Sequence, residues 1–491
     1  MKYHSTGSKR NYMKKLGLGE AQNNEGGTAF HDLDEVLSSS VAEWKRPWWV
    51  RSVDKPTVEV DWNRMERYDA RKHLVPNLRQ YVATEEFERL ETLRKENFHK
   101  WIRENRQGHT LRDHALNMAV RVGSVSSSFI GSWQNPIGNW GSSLDTAGKT
   151  DRNTRPLVMG HGWQVFSPEE LDVPRWEGTP EENGRMIRAF ARFSGASQVG
   201  FVELDEHTRK LIYAYDEIDG KKLEFEDTER AFETEHKRVI PNKAAWVIVF
   251  SVEMSGETMQ RTKGAAPTAI SASATYQAYA RSRFIIDQLQ TFLHMIGYQA
   301  LMGNSWNSLG IAPAFGVMAG LGELSRLNRM VSPEYGPMQR IFRVITDLPL
   351  APTKPINAGI MRFCRVCKLC AESCPTRALN IDTEPSWEVK GPWNNPGPRT
   401  YYDDSPKCAA YWWRSTVCCS TCISVCPFGK RDKSFVHDVV GATVAATPVL
   451  NSFFTRMYEV FGYNGHMDSE TWWNTDLPPL GIHGTRGTIL W

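Results

Sequence analysis

The stretch FCRVCKLCAESCP, residues 363–375, sets Cys364, Cys367, Cys370 and Cys374 at intervals of three, three and four and closes on Pro375. Thiols this dense either cross-link a chain or bind metal. The chain has nine cysteines, an odd number, and all of them lie between Cys364 and Cys426. Disulfide scaffolds instead spread their cysteines through short chains, so the pattern points to metal.

Three closely spaced thiolates followed by a fourth and a proline is the spacing of a bacterial two-cluster ferredoxin, in which the fourth cysteine crosses to the other cluster. That reading demands a second set. The segment CCSTCISVCPFGK supplies Cys419, Cys422 and Cys426 before Pro427, and Cys408 stands upstream. By the cross-ligation rule, Cys364, Cys367, Cys370 and Cys426 hold one 4Fe–4S cluster. Cys374, Cys408, Cys419 and Cys422 hold the other, and Cys418 is spare. A zinc ribbon also uses CxxC pairs, but two copies of CxxCxxxCP are hard to fit to tetrahedral zinc.

A chain of 491 residues is too long for one core, and a ferredoxin module needs only its last quarter. The 59 basic and 56 acidic residues nearly cancel, which is no footprint for nucleic acid. The longest apolar stretch, VVGATVAATPVL, is short and broken by Pro448, so nothing here is expected to span a bilayer. Near the start, STGSKRNYMKKLGLGE resembles a twin-arginine export signal with Lys9 and Arg10 in the arginine positions. The polar GEAQNNEGGTAF follows where an apolar region should stand, so the signal is degraded; the alternative is a basic tail.

Periodicity predicts a helix from Thr84, with Phe87, Leu90, Phe98 and Trp101 on one face and Gly108 as its stop. A second helix starts at Thr179, with Pro180 in its first turn, Glu182 completing a capping box and Gly195 ending it. Strands are expected over 198–204, at LIYAY from 211 and at AWVIVFSVEM from 245, with a long helix from Tyr276 stopped by Gly297. Helices and strands alternate, so residues 166–345 read as an α/β domain. The following GNSWNSLGIAPAFGVMAGLGE carries Gly303, Gly310, Gly316, Gly320 and Gly322. Glycine lets backbone approach a flat ligand; a glycine-rich connection is the other explanation, and the order fits no nucleotide motif.

Taken together, GLGELSR, YGPMQR, ITDLPLAPTKPINAGIMRFCRVCKLCAESCPTRAL, the second cysteine set and ATPVLNSFFTRMYEVFGYNG resemble, in this order, the corrinoid-dependent respiratory reductive dehalogenases. PRWEGTPEENGRMIRAFARFSGASQVG, FHDLDEVLSS and RPWWV extend the similarity toward the start, and the chloroflexi-type branch is the nearest in kind.

The resemblance implies an α/β (α+β) fold: a nitroreductase-like, cobalamin-binding core with a C-terminal two-cluster ferredoxin-like module. The implied division is a leader over 1–45, a family-specific region over 46–165, the cobalamin domain over 166–345, the cluster domain over 346–440 and a C-terminal tail over 441–491. Cobalamin is expected base-off, since the chain lacks the Asp-x-His-x-x-Gly motif that supplies a lower ligand elsewhere. The five glycines are assigned to the cofactor. Tyr279 is the implied proton donor, with Arg340 and Asn307 beside it; Tyr276 and Asn304 are near competitors. A phenol is a reluctant acid at neutral pH, and a guanidinium beside it stabilises the phenolate.

The implied reaction replaces a carbon-bound halogen by hydrogen. The implied partners are an organohalide, a low-potential electron donor and a small membrane-anchor protein. The implied place is the outer face of the cell membrane, or the cytoplasm if the degraded signal does not act. Two other classes share these motifs in part. An epoxyqueuosine reductase would want a basic face and a C-terminal repeat domain, and a ferredoxin-type carrier would bind iron without cobalt.

Overall fold

Strand Gln198–Glu203 (β1) lies beside Trp246–Glu253 (β2), which pairs on its other side with Gln339–Thr346 (β4); the short Ala300–Leu301 (β3) closes that edge. In this computed structural model, which describes residues 46–73, 78–122, 167–262, 266–302, 309–429, 435–461 and 466–482, all three pairings are antiparallel. The sheet is therefore of the α+β kind. The expected leader over 1–45 lies outside the described residues, as do Gly303 and Asn307.

Both faces of the sheet are covered, which explains why β2 reads WVIVFSVE, an apolar run rather than a strict alternation. On one face Phe250 and Phe342 are register partners and stack at 5.4 Å. Ile187 of the helix Pro180–Phe193 and Ala278, Ile285 and Leu289 of the helix Ala269–Met295 pack with them. On the other face Val247, Val249 and Ile345 meet Phe315, Val317 and Leu321 from the glycine-rich segment.

The helix Pro180–Phe193 starts as its sequence predicts: Glu182 N donates to Thr179 Oγ1 at 3.2 Å and Thr179 N donates to Glu182 Oε2 at 2.8 Å. The long helix starts at Ala269, a full seven residues before the expected Tyr276. Its cap is Thr268, whose hydroxyl accepts from Ser271 N at 3.1 Å while Ser271 Oγ accepts from Thr268 N. The added turns, AISASAT, carry small residues that are all buried. Helix Thr84–Arg103 also ends sooner than expected, capped by Glu104 and followed by Asn105 in a left-handed conformation before Gly108 is reached.

One expected strand is absent. LIYAY at 211–215 begins in a 3-10 turn, Thr208–Leu211, because Asp205 Oδ1 captures the N–H groups of His207 and Thr208 at 2.9 and 2.7 Å. Beyond the turn, Ile212 and Tyr215 make only isolated bridges to Gly310, Asp69 and Lys222. The segments of the expected division also interleave. Arg51–Ser52 pairs with Ile356–Asn357, and Asn117 Nδ2 donates to Ala269 O at 3.2 Å.

Candidate active site and cysteine centres

Tyr279 stands two to three turns into the long helix, where its ring packs edge-on against Phe342 at 5.9 Å. Arg340, on β4 opposite Val252 and two residues before Phe342, hence on the same face of the sheet, brings its guanidinium to 5.3 Å from the centre of the Tyr279 ring. One helix and one strand thus bring together residues 61 apart in sequence. Arg340 Nη2 donates to Thr275 Oγ1 at 3.1 Å, one helical turn before Tyr279, while Arg340 Nε is buried with no hydrogen-bond partner among the described residues. Tyr276 is buried with Ala269, Ala272 and Val417, and Tyr279 and Cys418 pack against that cluster.

Buried polar atoms without partners are rare in folded proteins, and among the described residues of this region they include Arg340 Nε, Thr416 Oγ1 and Ser420 Oγ. Thr416 and Ser420 flank the Val417–Cys418 pair that packs against Tyr276 and Tyr279. A cofactor edged with polar groups fits that set. The glycines give no such support. A side chain on Gly310, Gly316, Gly320 or Gly322 would meet Leu211 O, Met330 Sδ, Lys354 O or Val331 O at 2.1–2.5 Å. What these residues approach closely is the protein's own chain. Gly320, at φ +70°, additionally needs glycine's freedom to turn.

The cysteines fall into two groups. Cys364, Cys367, Cys370 and Cys426 line one cavity with Phe363, Pro427 and Phe428. Burial pushes the Cys364 thiol up to about 11 and that of Cys367 to about 12. Burial also raises Cys370 well above its ordinary value, with Cys364, Cys426 and Cys367 adding to it electrostatically. The second group is knitted in the same way. Burial and then Cys422 and Cys419 raise Cys408. Cys422 is pushed to about 12 by burial and then by Cys419 and Cys374. Cys418 packs instead against Tyr276 and Val417. Among the described residues no three or more such side chains converge tightly enough for a single metal ion. Thiols ranged around a cavity suit a polynuclear cluster better than tetrahedral zinc, and a bound cluster would hold them as thiolates.

The short turn between these sites is a feature that sequence reasoning passed over. Glu323, 1% exposed, accepts from Thr57 Oγ1 at 2.7 Å and from the backbone N–H groups of Ala358, Ile360 and Met361. Those N–H groups open the helix Ile360–Cys364, whose orphan donors need an acceptor. Burial raises the carboxyl of Glu323 and the hydrogen bonds oppose that rise. Three residues on, Arg326 donates from Nε and Nη2 to Cys364 O at 3.0 and 2.8 Å and from Nη1 to Asn380 O and Asp382 O. Both residues sit in the GLGELSR motif, where the glycines drew attention and the charges did the holding.

The family described as Dehalogenase, reductive dehalogenase subunit, matches residues 45–350. A chloroethene reductive dehalogenase of Dehalococcoides mccartyi strain VS is 31% identical over 98% of this chain and 99% of its own. A trichloroethene reductive dehalogenase of Dehalococcoides mccartyi is 28% identical over 98% of both chains. Among solved structures, a catabolic reductive dehalogenase superposes with a TM-score of 0.58 at 21% identity, over 85% of this chain and 49% of its own. The chain thus spans about half the length of that solved protein, and at this identity the likeness speaks for the fold alone.

Proposed function

Because the chain belongs to the reductive dehalogenase family and is a catalytic subunit of it, we propose that it replaces a halogen of a small organohalide by hydrogen at the Tyr279–Arg340 site. The observation that carries this is the pairing of a phenol with a half-buried guanidinium, within the same packed unit as two groups of thiols. Chlorinated ethenes, on which the similar Dehalococcoides enzymes act by name, are the first substrates to try.

The reaction takes two electrons and one proton, breaks one carbon–halogen bond, forms one carbon–hydrogen bond and releases halide. Tyr279, Arg340, Thr416 and Ser420 would line the site of a cobalamin, which would supply the reducing power for the reaction. The protein's part is the proton and the electron entry. Tyr279 Oη holds a transferable proton, and the charge left on the phenolate faces the guanidinium of Arg340. Thr275 keeps that guanidinium over the ring. Asn307, as an amide donor, orients substrate or the phenol.

Cys364, Cys367, Cys370 and Cys426 hold one 4Fe–4S cluster, and Cys374, Cys408, Cys419 and Cys422 the other, in a ferredoxin-like module against a nitroreductase-like core. The antiparallel sheet with the long helix on one face supports that core. Clusters held there would link the site to a low-potential electron donor. No helix among the described residues is long and apolar enough to cross a membrane, and attachment to the outer membrane face is assigned to a small anchor protein.

Metal analysis of anaerobically purified protein tests the reading: about eight iron and one cobalt per chain, with halide released from a chlorinated ethene by a reduced viologen. Failure to take up cobalt after reconstitution with a corrinoid would overturn it.

A further inference from the structure

Arg326 is a cation buried to 1% exposure, and among the described residues it forms no ion pair. Its donors all go to main-chain carbonyls: Cys364 O, Arg365 O, Asn380 O and Asp382 O. Its guanidinium stacks 4.1 Å from the Tyr401 ring centre, and its side chain lines the cavity of Cys364, Cys367, Cys370 and Cys426. Carbonyls satisfy its hydrogen bonds but leave its charge uncancelled, and a lone buried charge is costly. Negative charge placed in the adjoining cavity offsets that cost. Four thiolates around an iron–sulfur core are net negative and gain one more negative charge on reduction.

The second thiol group has a different neighbour. Arg329 acts on Cys408 and Cys422, but it is exposed on the surface, where water and salt screen it. A buried acid whose charge reaches Cys364 is Glu323, tied to the backbone ahead of it. It stays in place when Arg326 changes.

We propose that Arg326 is a positioning residue for electron transfer: its fixed buried charge favours the reduced form of the cluster held by Cys364, Cys367, Cys370 and Cys426, setting that cluster apart from its neighbour. This rests on the reading that those thiolates hold an iron–sulfur cluster. The charge lies close enough, in a medium less polar than water, to weigh on the one-electron equilibrium by about tenfold or more, which is about 59 mV for one electron.

The test is a dithionite titration followed by low-temperature magnetic resonance on the full-length enzyme. In Arg326→Gln, the cluster signal that survives Cys419→Ser should need potentials about 59 mV lower, and the other signal should stay. Arg326→Lys keeps the charge and should restore the wild-type midpoint. An unmoved midpoint in Arg326→Gln, or an equal fall in Arg326→Lys, overturns the proposal. If Arg326→Gln loses iron, wild-type enzyme titrated at about 0.01 M and 1 M salt decides. The first cluster's midpoint should hold while the second moves, and equal movement of both overturns the proposal. Wild-type enzyme without cluster signals overturns the cluster reading itself.

Discussion

The Arg340 guanidinium lies over the face of Tyr279, 5.3 Å from its ring centre, rather than at the end of the phenol. That position sets the positive charge against the electron-rich face of the ring. Arg340 is in turn held by Thr275, on the same helix as Tyr279, so phenol and charge are fixed to each other through one turn of backbone.

Tyr279→Phe keeps the ring that packs on Phe342 and removes its only transferable proton. Turnover should fall by about two to four orders of magnitude, the range of a positioned general acid, with iron and cobalt content unchanged. Tyr276→Phe is the control and should retain its rate, since it is the Tyr279 ring that the Arg340 guanidinium covers. A swap of the two phenotypes would move the donor one helical turn.

Arg340→Lys preserves the charge but not the planar group that spans the ring face and Thr275. The rate should drop by about tenfold or more, and Thr275→Val should lower it in the same direction by a smaller factor. A fully active Arg340→Lys would mean that charge alone suffices.

Cysteine register offers a cleaner separation. Cys418 packs with Tyr276, whereas Cys419 shares its electrostatic surroundings with Cys374. Cys418→Ser should keep both cluster signals and Cys419→Ser should lose one. The opposite result would shift the second motif by one residue.

How far these features were legible depends on what signal each leaves. The capping box at Thr179 and Glu182 and the apolar run of β2 are local, and both were readable. The first turns of the long helix were not, because AISASAT offers no apolar periodicity even though the whole stretch is buried. LIYAY looked like a strand by composition, but the side chain of Asp205 settles a turn ahead of it. The clustering of thiols could be anticipated from spacing alone. The clamps on them could not: Glu323 and Arg326 act on backbone groups 35 to 56 residues away, and such contacts leave no residue-type pattern to read.

Glu323 permits a test of that clamp. Glu323→Gln keeps the shape but turns one acceptor oxygen into a donor facing N–H groups that need an acceptor. The change should destabilise the fold by about 1–3 kcal/mol, and on mild heating iron should leave the first cluster before the second. Heat stability and iron retention equal to wild type would show that the helix Ile360–Cys364 does not depend on this carboxyl.

Acid should loosen the other end of the catalytic helix. His109 Nε2 bonds to Pro267 O at 3.1 Å, next to the Thr268 cap, and its ring is buried between Trp101 and His114. Burial, and then the neighbouring His114 and Arg106, lower its pKa to about 3. His114 is lowered too, by burial. In the unfolded chain a histidine titrates near 6.5. The unfolded state therefore binds more protons below that pH, and the stability associated with neutral His109 is fully present above about 6.5 and lost progressively down to about 3. At pH 5 the loss from His109 should be about 2 kcal/mol. His109→Gln keeps an N–H donor for Pro267 O and cannot take up the proton. Its thermal midpoint should therefore fall less than that of wild type between pH 7 and pH 5. Equal falls in the two proteins would place the acid sensitivity elsewhere than at the cap of the helix that carries Tyr279.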